Sequence, residues 1–267
     1  MCRTDNTAES GRTRGAGARL SALMKRASSL AERGMYDEAV TNIKEAMAIC
    51  PQNPKCSVQL ASIYRAQNRI GLAVEAMQKA VELDPKNSTV QEQLLQTLVE
   101  LGRYDEAISV GGKLLKRSRK NLYARDVLSI AYLQQGRLDK ALELTNELIR
   151  LAPTDSLHHF KKAVLLQQIG EIPQAMAAFT RALEMDPEGE MADDAREAIA
   201  ALDGYQLRQI LTIAVEDTVF KTKLMLDPES ASQERGFLLS SSGVSAIRQM
   251  DLGSLTGELQ NGHCHYH

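Results

Sequence analysis

Residues 54–87 read PKCSVQLASIYRAQNRIGLAVEAMQKAVELDPKN, and this 34-residue pattern occurs five times in succession without insertion. The five copies cover residues 20–53, 54–87, 88–121, 122–155 and 156–189. Position 20 of every copy is alanine, at residues 39, 73, 107, 141 and 175. Position 32 is proline at residues 51, 85, 153 and 187, and only Arg119 departs from it. A fixed period of this length predicts a repeat protein.

Within each copy, the apolar residues recur every three or four positions, which is the period of an α-helix. Position 15 interrupts the pattern with Gly34, Asn68, Gly102, Gly136 or Gly170, the residue types that best tolerate the left-handed backbone at a helix end. Each copy is therefore predicted to be a helical hairpin. One hairpin cannot bury both of its faces, so the hairpins are predicted to stack.

The pattern resembles the tetratricopeptide repeat, and the second copy matches it best. The residues that carry the resemblance are Leu60, Ala61, Tyr64, Ala73, Met77, Ala80 and Pro85. The tryptophan of the family signature has no counterpart, since the chain contains no Trp. The resemblance covers about two thirds of the chain and implies an all-α, right-handed solenoid, to which the apolar pattern after residue 189 adds a helical C-terminal extension. It also implies a non-catalytic adaptor or scaffold that binds a protein or peptide, with no cofactor.

In this family the inner wall of the stack is formed by the first helix of each hairpin, at positions 2, 5, 9 and 12. These positions are mostly small or polar in the first three copies and largely apolar in the last two. Such an apolar surface is typical of a binding site, although the chain's own C-terminal segment is an equally good candidate to cover it. The predicted partner-binding residues are Arg65, Glu92, Tyr123, Asp126, Ile130, Leu133, Leu157, Phe160, Val164 and Gln167.

The composition and the charge pattern argue against several other classes of protein. The chain has 267 residues, 25% of them charged, and a net charge of −2. No run of apolar residues is long enough for a membrane span, and the polar first residues do not form a secretion signal. We expect a cytoplasmic protein. The basic run at residues 113–120 has no interleaved aromatic residues, so nucleic-acid binding is not expected. His158 and His159 have no nucleophile or carboxylate at a catalytic spacing, so an enzyme is not expected either.

The flanking segments are predicted as follows. Residues 1–19 are expected to be a disordered arm, and residues 190–226 to form a capping helix and a second helix, separated by Asp203 and Gly204. The apolar face of the second helix, which includes Leu207, Ile210 and Ala214, is expected to pack on the last repeat, on the inner wall or on a second copy of the chain. Residues 227–267 are expected to be mostly irregular, with a short helix near Ser241.

A rival hypothesis places the function in this C-terminal tail, as a precursor-like or metal-binding protein. Residues 220–251 resemble, in the order F-x-x-x-L, D-P, G-F-x-L-S and G, the leader segments of some bacterial ribosomally made, modified peptides, although they lack a Gly-Gly cleavage site. The chain ends in GHCHYH, where His263, Cys264, His265 and His267 are candidate metal ligands, with adventitious binding the simpler interpretation.

Two internal features leave alternatives open. Cys50 and Cys56 flank the turn CPQNPKC, where they could cross-link, share a metal or remain ordinary reduced thiols. Gly111 and Gly112 occupy the middle of a predicted helix, near a position that is usually large and apolar. They predict the least tightly packed part of the stack, as either a hinge or a packing irregularity.

Overall fold

The computed structural model describes residues 10–254, with side chains from residue 15 onward. Within this range it contains fourteen α-helices, one short 3-10 helix and no strand, which confirms the all-α prediction for the described residues. The helices of the repeats are α1 (Ser10–Glu32), α2 (Tyr36–Ile49), α3 (Pro54–Ala66), α4 (Ile70–Leu83), α5 (Ser88–Glu100), α6 (Tyr104–Arg117), α7 (Leu122–Gln134), α8 (Leu138–Leu151), α9 (Ser156–Ile169) and α10 (Ile172–Met185). The C-terminal helices are α11 (Ala192–Glu216), α12 (Thr218–Leu226), α13 (Pro228–Glu234) and α14 (Ser241–Gln249), followed by the 3-10 helix Leu252–Ser254.

The chain divides into two compact units, one ending at Gln135 and the other beginning at Gly136. The first unit contains α1 to α7, and the second contains α8 to α14. This division does not follow the repeat boundaries, because the fourth repeat contributes its first helix to one unit and its second helix to the other. In both units, helices that are consecutive in the sequence pack against each other.

The turn inside each hairpin has the predicted left-handed residue. Asn68 has a φ of 57°, and the four glycines at the same repeat position have φ between 69° and 94°. The amide of the residue after this left-handed position then donates to a carbonyl in the last turn of the first helix, as from Arg69 to Tyr64 (2.8 Å) and from Arg103 to Leu98 (2.9 Å). These bonds satisfy carbonyls that the helix end leaves without an intrahelical donor, and they fix the direction of the second helix.

A second periodic feature marks the start of each first helix. Asn53, Asn87, Asn121 and Asp155 are 34 residues apart, and each side chain accepts a hydrogen bond from a backbone amide of the helix that follows, at 3.1, 3.2, 2.8 and 3.0 Å. They are N-caps, which satisfy one of the amides left free at a helix start. The sequence signal for these caps is an Asn or Asp at the last position of four repeats.

The glycines of the third repeat do not mark loose packing, so that expectation is wrong for Gly111. Gly111 is buried in α6, and a Cβ placed there would lie 2.7 Å from the Leu128 side chain of α7. Leu128 therefore occupies the volume that a large residue of α6 would fill in other repeats. Gly112, by contrast, has nothing within 4 Å of an added Cβ.

The first helix begins earlier than expected. Residues 10–19 belong to α1, whereas the sequence predicted a disordered arm up to residue 19. Residues 15–19 are exposed, and nothing lies near Gly15 or Gly17, so this extension depends on its own backbone hydrogen bonds. Extending an existing helix is favourable at each alanine or arginine, since it adds one bond per residue without a new nucleation step. Residues 1–9 lie outside the described residues.

The predicted break at Asp203 and Gly204 is also wrong, because α11 runs continuously from Ala192 to Glu216. The Asp203 carboxylate is buried and does not compete for the helix backbone. It accepts hydrogen bonds from the backbone amide (2.9 Å) and the hydroxyl of Ser240. The break falls instead at Asp217, whose side chain caps α12 by accepting from the amide of Phe220 at 2.9 Å.

The two halves of α11 have different packing partners. Ala195 and Leu202, in the first half, pack with Met176 and Phe179 of α10 in one cluster. The second half forms a separate core with α12, α13, α14 and the 3-10 helix. This core consists of Ile210, Ala214, Phe220, Leu224, Ala231, Ile247 and Leu252, with Leu207, Leu211 and Phe237 packed against it. We call residues 203–254 the C-terminal module.

The C-terminal module corrects two expectations. The apolar face of the second half of α11 is covered by α12 to α14 rather than by a repeat, the inner wall or another copy. Residues 228–254 are not mostly irregular, because they form two helices and a 3-10 turn, with the short helix beginning at Ser241 as expected. The His-rich end and its candidate ligands His263, Cys264, His265 and His267 lie outside the described residues.

Candidate partner-binding site

The predicted partner-binding residues of the first unit lie on α3, α5 and α7, and hydrogen bonds join these helices. The Tyr123 hydroxyl of α7 donates to Gln96 of α5 at 2.9 Å, and the Asn121 amide donates to Glu92 at 2.6 Å. Arg65 of α3 approaches Glu100 of α5 at 4.0 Å. The structure therefore brings Arg65, Glu92 and Tyr123 to one surface, where side chains of successive repeats are neighbours.

None of the ten predicted residues is fully buried. In the first unit, Tyr123 is 44% exposed, and Ile130 and Leu133 are partly exposed on the same helix. Burial, followed by the charges of Glu92, Glu100 and Asp126, raises the pKa of Tyr123 above its ordinary value. The phenol is therefore neutral at physiological pH and surrounded by carboxylates. We call Glu92, Glu100, Tyr123 and Asp126 the acidic patch.

In the second unit, the predicted residues lie on α9 and are more apolar. Leu157 is 39% exposed, whereas Phe160 and Val164 are partly buried and pack against the cluster of α9, α10 and α11. The Phe160 ring meets Phe179 edge to face, with 5.5 Å between centroids and 70° between planes. Phe160 therefore contributes to the core as well as to the surface. Gln167, the last of the four, is exposed.

Leu157 also lines a pocket of about 190 Å³ at the junction of α9, α10 and α11. Leu183 and Met191 form apolar parts of its wall, while Asp186 and Glu190 add carboxylates. Sequence reasoning missed this pocket, because it exists only where α11 packs on the last repeat. The only sequence signal was the loss of the 34-residue period after Gly189.

The remaining candidate sites have structural explanations. In the basic run, Lys116 and Arg117 lie in the last turn of α6, where cations are favoured by the helix dipole, and Arg117 donates to the Pro85 carbonyl.

The two internal histidines also have structural contacts. His158 is buried with its Nε2 3.5 Å from an Asp155 oxygen, and the His159 ring contacts the Pro153 carbonyl at 3.2 Å. Among the described residues, no three His, Cys, Asp or Glu side chains are grouped to hold a metal.

The leader-like segment is part of the folded C-terminal module. Leu238 exchanges two hydrogen bonds with the buried Gln206 side chain, its carbonyl accepting at 2.8 Å and its amide donating at 2.9 Å. Ser240 is held by Asp203, and a Cβ at Gly243 would lie 2.7 Å from the Asp203 carboxyl group. The Gln206 and Asp203 side chains thus hold residues 238–243 against α11.

None of the helices between residues 10 and 254 has the combination of length and apolar character needed to cross a lipid bilayer. Cys50 and Cys56 are not joined in a disulfide.

Several solved structures are similar to the chain. MamA 41-end from Desulfovibrio magneticus RS-1 is 18% identical, with a TM-score of 0.56 over 64% of this chain and 97% of that one. The structure described as "MamA MSR-1 C2" is 24% identical, with a TM-score of 0.52 over 63% and 97%. YrrB, described as "a TPR protein with an unusual peptide-binding site", is 16% identical, with a TM-score of 0.54 over 66% and 90%. At these identities the similarity shows the fold. No curated protein sequence matches the chain.

Family models described as "Tetratricopeptide repeat" match residues 30–98, 98–165 and 159–188. These matches cover more than half of the chain and include part or all of each predicted copy. They agree with the helical hairpins, the left-handed turn residues and the periodic caps of the structure. The chain therefore belongs to the tetratricopeptide repeat family.

Proposed function

We propose that the chain is a non-catalytic adaptor that binds a peptide or helix of a partner protein on the first helices of its repeats, chiefly α7 and α9. Tetratricopeptide repeats generally serve as protein-interaction scaffolds, and YrrB, which shares the fold, is described as having a peptide-binding site. We expect the protein to act in the cytoplasm, where Cys50 and Cys56 would stay reduced.

The observation that carries this proposal is the exposure of large side chains on these helices. Tyr123 is 44% exposed and Leu157 is 39% exposed, and both are among the residues that the repeat pattern predicts to face a partner. Aromatic and large aliphatic side chains at the centre of an interface commonly supply most of the binding free energy. Each therefore marks a candidate anchor point, one in each unit.

The two surfaces favour different chemistry in the partner. The acidic patch around Tyr123 combines an accessible ring with carboxylates, which suits a lysine or arginine side chain through charge and cation–π attraction. Leu157 and its pocket suit an apolar side chain. A partner segment for this chain would therefore carry basic residues, large apolar residues, or both.

Selection from a displayed peptide library on the full-length chain tests the proposal. Enriched peptides are expected to carry these residue types, and Tyr123→Ala or Leu157→Lys is expected to weaken their binding at least tenfold, equivalent to about 1.4 kcal/mol. Leu151→Lys is a matched control, because Leu151 is 39% exposed, like Leu157, but lies at the end of α8, a second helix of its repeat. Binding that both variants retain, or that the control loses equally, would contradict the proposal.

A further inference from the structure

The connection between α13 and α14 is extended and contacts two cores. Residues 237–240 lie outside any helix or turn. The Leu238 side chain packs against the cluster of α10 and α11, whereas Leu239 packs against the core of the C-terminal module. Successive side chains of a strand point to opposite faces, so this division agrees with strand geometry. We call residues 237–240 the extended segment.

Side chains of α11 pair with one edge of the extended segment. The Gln206 carboxamide accepts from the Leu238 amide at 2.9 Å and donates to the Leu238 carbonyl at 2.8 Å. One side chain thus makes the two hydrogen bonds that a residue of an adjacent antiparallel strand would make. Two residues further on, the Ser240 amide donates to Asp203 at 2.9 Å. The amides of Leu238 and Ser240 therefore both face α11.

The backbone groups of Leu239 lie at the opposite edge. Because the amide and carbonyl of successive strand residues point to alternate edges, those of Leu239 point away from Gln206 and Asp203. Neither group forms a hydrogen bond within the part of the chain that the structure describes. Leu239 is nevertheless partly buried, and backbone groups that are shielded from water are almost always paired. This edge is therefore able to receive a partner backbone.

A groove of about 540 Å³ runs beside this edge, between α10, α11 and the extended segment. All of these elements belong to the second unit. Ala177, Ile199 and Leu238 are among its apolar lining residues, and Ala177 is exposed on α10. The same repeat position is polar in the other four copies, as Thr41, Glu75, Ser109 and Glu143. The fifth repeat therefore differs from the others by a small apolar residue in the wall of the groove.

We propose that the extended segment binds an extended peptide of a partner protein, which pairs with Leu239 and places an apolar side chain in the groove. One peptide residue donates to the Leu239 carbonyl and accepts from the Leu239 amide, as in an antiparallel strand pair. Peptides that add a strand gain affinity from such bonds and specificity from the side chains that enter adjacent pockets. A helical peptide cannot make these bonds, because its backbone groups are already paired within the helix.

Amide hydrogen exchange of the full-length chain tests whether this edge is open. The Leu238 amide, bonded to Gln206, is expected to be protected with or without a peptide. The Leu239 amide is expected to exchange at least tenfold faster than that of Leu238 in the free chain, and to become protected when a peptide binds. Protection of Leu239 in the free chain would overturn the proposal, because another part of the chain or a second copy would then hold the edge.

The probe peptides are selected from a displayed random library on the full-length variant Tyr123→Ala/Leu157→Lys. This variant lacks the anchors of the adaptor surfaces on α7 and α9, so the outcome does not depend on the proposed function. The selected peptides are expected to bind Ala177→Arg at least tenfold more weakly, because the arginine side chain enters the groove. Ala201→Arg is the matched control, since Ala201 is also exposed but lies about 200° around α11 from Ile199.

N-methylation of each peptide residue in turn locates the hydrogen bonds. It is expected to abolish binding at the residue that pairs with Leu239 and to be tolerated at the two adjacent residues, whose amides point to the other edge. Arginine is a good helix former, so both alanine variants are expected to fold, which circular dichroism checks. The proposal is overturned if the library gives no binder, if Ala177→Arg and Ala201→Arg bind equally, or if N-methylation has no effect at any position.

Discussion

Gly111 and Gly112 are neighbours in α6 but have opposite surroundings. Leu128 packs directly on Gly111, whereas Gly112 faces open space. A glycine inside a helix lowers stability by about 1 kcal/mol relative to alanine. A glycine that the fold keeps there is therefore expected to allow a contact that alanine would block. At Gly111 the gain is the close packing of α6 on α7. At Gly112 the structure shows no compensating contact.

This difference predicts opposite effects of the same substitution. Gly112→Ala is expected to raise the free energy of unfolding by up to about 1 kcal/mol, because it only improves helix propensity. Gly111→Ala is expected to lower it by about 1 kcal/mol, because displacing the buried Leu128 side chain costs about 1–3 kcal/mol and outweighs the propensity gain. Urea unfolding of both variants measures the difference.

Double substitution with Leu128→Ala separates the two contributions to the Gly111→Ala effect. When the leucine is shortened, Gly111→Ala is expected to become stabilising, since the added methyl group then fills vacated space. Equal effects of Gly111→Ala and Gly112→Ala in the unsubstituted chain would contradict the packing explanation.

At the scale of single helices, the caps differ in chemistry along the chain. The first helices of repeats two, three and four are capped by Asn53, Asn87 and Asn121, which do not titrate. In the C-terminal module, α12 and α13 are capped by Asp217 and Asp227. Both kinds of residue accept the same backbone hydrogen bond, but only the aspartates can lose it on protonation.

The pKa of each aspartate is lowered. For Asp217 the main cause is the Phe220 amide, with Arg235 adding its charge, and for Asp227 it is the Ser230 hydroxyl and then the Ser230 amide. A carboxylate with a lowered pKa in the folded state stabilises that state fully above its unfolded pKa, and the stabilisation is lost as the pH falls through the folded pKa. The C-terminal module should therefore weaken on acidification by a mechanism that α3, α5 and α7 lack.

Hydrogen-exchange protection factors between about pH 5 and about pH 2.5 measure this effect. As the pH decreases, the amides of α12 and α13 are expected to lose protection at a higher pH than those of α3 and α5. The double variant Asp217→Asn/Asp227→Asn keeps an acceptor at each cap, and it is expected to remove the cap contribution to this difference. An unchanged pH profile in that variant would show that the caps are not responsible.

At the scale of the whole molecule, α11 belongs to two cores. Its first half covers the apolar surface of α10, and its second half supplies Ile210 and Ala214 to the C-terminal module. The position at which the chain is cut therefore decides which apolar surface is exposed. A cut after Leu202 removes the apolar face of the second half of α11 together with α12 to α14, which cover it. A cut after Glu216 keeps this apolar face but removes the helices that cover it.

We expect a chain of residues 1–202 to remain folded and monodisperse to the same degree as the full chain. A chain of residues 1–216 is expected to self-associate or precipitate, because Leu207, Ile210 and Leu211 lose the helices that cover them. Sedimentation velocity distinguishes these outcomes. The substitution Leu211→Lys in the longer fragment is expected to restore solubility, and equal behaviour of the two unsubstituted fragments would contradict this account.

The repeat pattern predicted most of the local structure from the residues alone. The apolar period predicted the ten repeat helices, and the Gly or Asn at position 15 predicted a left-handed turn that the structure confirms. These features depend on neighbours three to five residues away, so the local sequence is sufficient to specify them. The partner-binding residues remain a prediction that follows from the same pattern.

The sequence by itself thus determined the family, the helical hairpins and the turns between them. Only the tertiary structure decided that Gly111 gives space to Leu128, that Asp203 fastens Ser240 instead of ending a helix, and that Met24 lies beside Cys56. The physical reason is that each of these contacts joins residues 17 to 37 positions apart. The role of Gly111, Asp203 or Cys56 depends on which residue another part of the chain brings into contact with it, and no local sequence pattern specifies this contact.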